Sequence, residues 1–267
     1  MKLASSSLFV LINFFGLFLF TWPLLLDTES LGLASLNQAT WLAALFGILC
    51  VAMIAFQINA KLLDSKIVAI VAVLVALISA LRLLGAGAVG IEPMWFLIIL
   101  AARALGPQIG FVIALMAILV SSLITGGIGP WLPFQALAAG WIAAGVVVIP
   151  KRLSFRLERV LLMAYGIFSA LLFGTLMDLQ LWPWLLGSDT QLSYLPGASI
   201  TENLGRFLTF HFATALSWDL PRAIVTASLI FISAKSVLGA LGRAKSRIDS
   251  VANWRAVNEL GREQKVA

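Results

Sequence analysis

Charge is scarce in this 267-residue chain: 11% of its residues are Asp, Glu, Lys or Arg, where a soluble domain carries about a quarter. Together with 61% hydrophobic residues and a mean hydropathy of +1.02, that scarcity excludes an ordinary water-soluble globule and points to a membrane-embedded protein. Cys50 is the sole cysteine, which excludes a disulfide framework and a thiolate metal site. His211 is the sole histidine, which excludes a bis-histidine haem site within the chain. The sequence has no Walker A stretch, no His-Glu-x-x-His, no Asp-rich diphosphate motif and no Gly-x-Ser-x-Gly. It has no internal repeat and no pair of inverted halves with broken helices, which many secondary transporters carry.

Long apolar runs fill the space these absences leave. A membrane span needs about 20 mostly apolar residues. Eight segments approach that length: 6–26, 41–59, 66–84, 92–105, 108–125, 132–149, 159–181 and 207–234. The fourth is short and ends at Gly106-Pro107, so it reads either as a thin span or as a re-entrant piece. With both termini cytoplasmic and the spans alternating, the inner side holds 15 of the 18 lysines and arginines, including Arg103, Lys151, Arg152, Arg156, Arg159 and the basic residues from Lys235 onward. Asp27, Glu29, Glu92, Asp189 and Glu202 fall outside. This is the positive-inside pattern, so the net charge of +6 reflects topology and does not argue for nucleic-acid binding. Trp22, Trp41, Trp95, Trp131, Trp182 and Trp184 fall at the expected outer boundary, where an interfacial belt accounts for most of them. The first run is too long for a signal-peptide core and lacks a cleavage site, so it reads as a retained helix.

The expected organisation is an amino-terminal transmembrane hairpin (1–60), a six-helix body (61–235) and a basic cytoplasmic tail (236–267). In the tail, Ile248, Val251, Trp254, Val257 and Leu260 recur at helical spacing, which suggests an amphipathic helix at the inner face. The largest outer loop, about 182–206, carries Tyr194 and Asn203.

Residues 106–141 hold two apolar runs joined by Gly126-Gly127-Ile128-Gly129-Pro130-Trp131. The second run carries Gln135 and the small-residue series Ala136, Gly140 and Ala144. Trp131 is set apart from the belt as a candidate ligand contact. Ala72, Ala76 and Ala80 lie on one stripe of the third span. Small side chains let helix backbones approach closely in lipid, so the stripe suits either packing within the chain or docking of another membrane subunit. The last segment contains His211, Trp218, Asp219, Pro221 and Arg222. Asp219 and Arg222 are three apart and able to pair, either as a structural ion pair or as ligand contacts. Pro221 is expected to weaken the helix there. Arg82 and Glu92 flank the turn Gly85–Gly90, which reads as a gate or as a plain flexible hairpin.

Residues 61–240 resemble the substrate-binding membrane subunit, or S component, of an energy-coupling factor (ECF) vitamin transporter. The likeness rests on the alanine stripe, on Leu105-Gly106-Pro107-Gln108-Ile109-Gly110-Phe111 followed by Gly127-Ile128-Gly129-Pro130-Trp131-Leu132-Pro133-Phe134-Gln135, and on Trp218-Asp219-Leu220-Pro221-Arg222-Ala223. It departs from the usual six-helix pattern in residues 1–60. The resemblance implies an all-α integral membrane protein of the prokaryotic cell membrane that captures a vitamin or vitamin precursor, cobalamin-type, flavin-type or similar, at its outer face. It also implies partners: a membrane coupling subunit, docked on Ala72, Ala76 and Ala80, and two ABC-type ATPases. Those partners use the ATP, and this chain needs no cofactor or metal and performs no catalysis. The binding candidates are then Arg82, Glu92, Trp131, Gln135, Tyr194, Asn203, His211, Trp218, Asp219 and Arg222, an aromatic, amide-lined set suited to a flat heteroaromatic ligand.

Two other readings stay open. One is a membrane enzyme or scaffold for lipid or prenyl substrates, for which Asp178, Asp219 and Glu202 are the candidate acids. The other is an assembly protein that uses its small-residue stripes merely to pack.

Overall fold

The structure, a computed structural model, describes residues 2–25, 65–85, 89–185 and 190–266. The second predicted span, with Trp41 and Cys50, and the acidic loop before it lie outside these residues. The described residues form eight α-helices and no strand: α1 (Lys2–Leu25), α2 (Ser65–Leu84), α3 (Met94–Leu105), α4 (Pro107–Thr125), α5 (Leu132–Gly145, extended by a 3-10 turn, Val146–Val148), α6 (Phe155–Leu185), α7 (Ile200–Thr214) and α8 (Leu216–Val266). Among the described residues four stretches are long and apolar enough to cross a membrane: Lys66–Leu84, Pro107–Thr125, Phe155–Leu185 and Leu216–Ile248.

α3 is the axis of the bundle. Ile98, Ile99, Leu100 and Ala101 are all fully buried. Four consecutive residues cover the whole circumference of a helix, so α3 is enclosed on every side. Its 12 residues reach about 18 Å, well short of a bilayer core. A single residue, Gly106, links it to α4, and α4 packs back against it where Gly110 meets Ala102. Gly140 of α5 lies under the Phe111 ring, and Ala136 and Ala139 are fully buried beside it. The series Ala136, Gly140, Ala144 thus forms part of the α4–α5 interface.

The alanine stripe of α2 behaves in the opposite way. Val71, Leu74, Val75, Ile78 and Ser79 face the core, while Ala72, Ala76 and Ala80 are exposed with Val73 and Leu77. Comparable apolar exposure runs along α6 and α8, at Val160, Phe168, Phe231 and Ile232. Large apolar surfaces of this kind suit a lipid surround. α1 buries Leu19 and Phe20 in the same cluster as α3–α5, and its Asn13 Oδ1 accepts a 2.5 Å hydrogen bond from Trp141 Nε1. The first helix of the amino-terminal hairpin therefore shares the core of the body.

Three expectations need correction. Residues 207–234 are not one span: the helix breaks at Ala215, between α7 and α8, and the break leaves His211 on α7. The long outer loop is shorter than expected, because α6 runs through Pro183 to Leu185 and α7 starts at Ile200 with Ser199 as its cap. Trp95, Trp182 and Trp22 are no exposed belt. They are buried, at 2%, 0% and 8% exposure, because each ring packs on aromatic neighbours inside the bundle. Beyond residue 235, α8 continues unbroken into the basic tail, whose predicted helix is thus an extension of the last span.

Candidate functional site

The ionisable side chains predicted from the sequence concentrate at one end of the bundle, where α2 ends, α3 begins and α7 meets α8. Arg222, in the second turn of α8, is the hub. Its Nε donates to Glu92 Oε2 at 2.8 Å and its Nη1 to Asp219 Oδ1 at 2.6 Å. Nη1 also lies 3.4 Å from the Ala170 carbonyl, and the guanidinium stands 5.0 Å over the Phe173 ring. Glu92 Oε2 accepts a second hydrogen bond, 2.6 Å from Trp95 Nε1. One arginine thereby fastens the loop before α3, the first turn of α8 and the middle of α6. Pro221 leaves the helix running but cannot donate to the Ser217 carbonyl, so the Asp219–Arg222 pair supplies a side-chain tie across that weakened turn.

The sequence makes room for this hub at two glycines. A Cβ on Gly174 would lie 2.0 Å from Asp219 Oδ1, so α6 admits the carboxylate only because residue 174 has no side chain. Gly90 adopts φ 66°, and a Cβ there would lie 2.2 Å from the Trp218 carbonyl oxygen. The described part of the Gly85–Gly90 turn is therefore seated on α8, and residues 86–88 lie outside the described residues.

Asp178 and Thr175 continue the network one turn further along α6. His211 Nδ1 is 2.8 Å from Asp178 Oδ2, its Nε2 is 3.2 Å from Thr175 Oγ1, and its ring stacks on Phe207. Asp178 is within electrostatic reach of both Arg222 and Asp219.

Arg82, at the end of α2, has a different surrounding. Nη1 donates to Ser121 Oγ (2.8 Å), Ser122 Oγ (3.0 Å) and the Ile118 carbonyl (3.2 Å), and Nη2 donates to Gln135 Oε1 (3.0 Å). All these acceptors are neutral, and Glu92 is the carboxylate within electrostatic reach. Gln135 lies one helical turn from Trp131. The Trp131 ring is 39% exposed and folds back over Gly129, where a Cβ would meet it at 2.5 Å.

The structure thus joins Glu92, Asp219 and Arg222 directly, joins Arg82 to Gln135, and leaves the rings of Trp131 and Trp218 exposed at this end. It commits Tyr194 and Asn203 elsewhere. Tyr194 is buried against Trp182 and Trp22, and Asn203 bonds both the amide and the carbonyl of Leu195. In these contacts both side chains brace the segment before α7. Sequence reasoning did not place Ser121, Ser122, Trp95 or Thr175 in the site, and it named Asp178 only as a candidate acid of the enzyme reading. Asp178 had a signal, since an acid inside an apolar helix marks a functional position by default; the two serines had none. Among the described residues no group of three or more His, Cys, Asp or Glu side chains is placed to hold a metal ion.

Comparison of the chain with protein-family models, with curated proteins and with solved structures found no match.

Proposed function

We propose that this chain is the substrate-capture subunit of an ECF-type importer in a prokaryotic cell membrane. In that reading it binds a vitamin or vitamin precursor at the Glu92 end and passes it inward with a coupling subunit and two ATPases. The observation that supports this best is the site's composition. Two arginines, Arg82 and Arg222, meet their partners at the same end of an apolar bundle, and the exposed Trp131 and Trp218 lie one helical turn along the chain from Gln135 and Arg222. Rings offer stacking surface to a flat ligand, and Arg82, satisfied by neutral oxygens, can take a polar or anionic substituent without losing a salt bridge. On this reading the site lies outside, as the distribution of basic residues requires, and both termini are cytoplasmic. The exposed stripe Ala72, Ala76, Ala80 then becomes the docking face for the coupling subunit.

The test is purification of the full chain from its native membrane, followed by native mass spectrometry. A co-purified heteroaromatic molecule and co-isolated ATPases are expected, and Arg82→Gln should lose the molecule while keeping the partners. Recovery of neither a small molecule nor an ATPase would overturn the proposal.

One observation favours an enzyme acting on lipid or prenyl substrates: Asp178, His211 and Thr175 stand in hydrogen-bonded series, the order of acid, base and hydroxyl in nucleophilic sites. Against it, Thr175 Oγ1 also donates to the Leu171 carbonyl at 2.9 Å, an ordinary tie within a helix. Lipid turnover abolished by Thr175→Ala, with no small molecule bound by the unaltered protein, would select this reading.

A further inference from the structure

At the opposite end of the α6–α8 interface, Arg159 has no counter-ion among the described residues. Its guanidinium stands 4.5 Å over the Phe231 ring of α8 and 5.8 Å over Phe155 of its own helix. Its Nε is buried and donates no hydrogen bond. The neighbouring carboxylate, Glu158, is taken by Arg103 Nε at 2.7 Å. Of its donors only Nε is shielded, so the terminal Nη groups are left to reach an acceptor at the membrane surface. Aromatic faces satisfy the flat sides of a guanidinium, but they leave its in-plane N–H groups for an acceptor oxygen.

Depth and flank narrow the acceptor. α6 has 31 residues, about 46 Å, against a hydrocarbon core of about 30 Å. Arg159 lies one turn from the start of α6, about 6 Å along it, which is headgroup depth if the excess is shared between the two ends. On one side of it the surface is basic, with Arg156 and Lys235 exposed. On the other it is apolar, with Val160 57% and Ile232 74% exposed. A basic rim above an apolar wall matches an amphiphile with an anionic head.

We propose that Arg159, with Arg156 and Lys235, binds the phosphate of an acidic phospholipid whose acyl chains lie on the wall formed by Val160, Phe231 and Ile232. The site is independent of the function proposed for the opposite end and needs only that the helices be embedded.

Full-length protein in detergent should be supplied with phosphatidylglycerol or phosphatidylcholine, and lipid retention read by native mass spectrometry. Phosphatidylglycerol should be retained in preference, and Arg159→Gln should cut that preference roughly five-fold, about what one cation contributes beside an anionic surface. Arg243→Gln, on an exposed residue further along α8, should leave it unchanged. Unchanged preference in Arg159→Gln, or an equal loss in Arg243→Gln, overturns the site. Soluble glycerol phosphate should not displace the lipid, and full displacement would make this a site for free phosphate instead. Should Arg159→Gln fail to fold, Phe231→Leu removes the ring and keeps the charge; it should weaken retention, and unchanged retention again overturns the proposal.

Discussion

Arg222 and Arg159 both lie in the interface between α6 and α8, each against a phenylalanine ring, and their surroundings are opposite. Arg222 is 6% exposed and closed by two carboxylates, one of them Asp219 at 2%. Arg159 has rings and, among the described residues, no acid. Arg103 stands between them, bonded to Glu158 and to the carbonyls of Ile149 and Pro150, where it ties the end of the α5 extension to α6. Arg82 has neutral oxygens as hydrogen-bond partners. The side chain is the same in all four cases, and its counter-charge decides its effect. A closed arginine ties the bundle together, and an open one has donors left for the ligands proposed above.

Breaking the closed hub should produce the largest effect. Arg222→Met leaves Glu92 and Asp219 without their cation, and removing one partner of a buried pair costs about 3–5 kcal/mol. Thermal unfolding in detergent should show a large drop, and an unchanged midpoint would remove the distinction between Arg222 and Arg159. Gly174→Ala pushes a methyl against the Asp219 carboxylate and should cost about 1–3 kcal/mol by overpacking. Gly205→Ala, with open space around it, makes the comparison strict: it should be neutral or stabilise by about 0.5–1 kcal/mol. Arg103→Ala should cost roughly 1–2 kcal/mol in the same assay, less than Arg222→Met, because it strands no carboxylate as deeply buried as Asp219, and Glu158 at 21% exposure can rehydrate. Smallest of all, Ala76→Leu on the exposed stripe should shift stability by less than about 0.5 kcal/mol. Loss of co-isolated ATPases in that variant, at unchanged stability, would mark the stripe as a docking face. Retained assembly would return it to lipid.

The partners of these arginines were unevenly legible. Asp219 and Arg222 could be paired from spacing alone, because three residues along a helix place them on one face. Glu92 could not, since it reaches Arg222 from a loop 130 residues away. The bonds from Arg82 to Ser121, Ser122 and Gln135 depend on how α2, α4 and α5 pack together. The break at Ala215 was hidden too. Pro221 drew attention as the breaker, yet the helix runs through it, and Ala215 has no Gly or Pro to mark it. The contacts of Tyr194 and Asn203 were hidden for a related reason: a loop rich in polar residues looks the same whether it lines a site or braces itself.

Composition was enough to predict the helices found among the described residues and several spans' worth of apolar length, because lipid imposes length and hydropathy on each helix separately. It was not enough to say which apolar face turns inward. Ala72, Ala76, Ala80 and Ala136, Gly140, Ala144 have the same spacing, yet the first series is exposed on α2, while in the second Ala136 is fully buried and Gly140 lies beneath the Phe111 ring. In water, hydrophobicity would separate such faces. In lipid both sides of a helix meet hydrocarbon, so shape and polar ties choose between them, and these exist only once the helices have met.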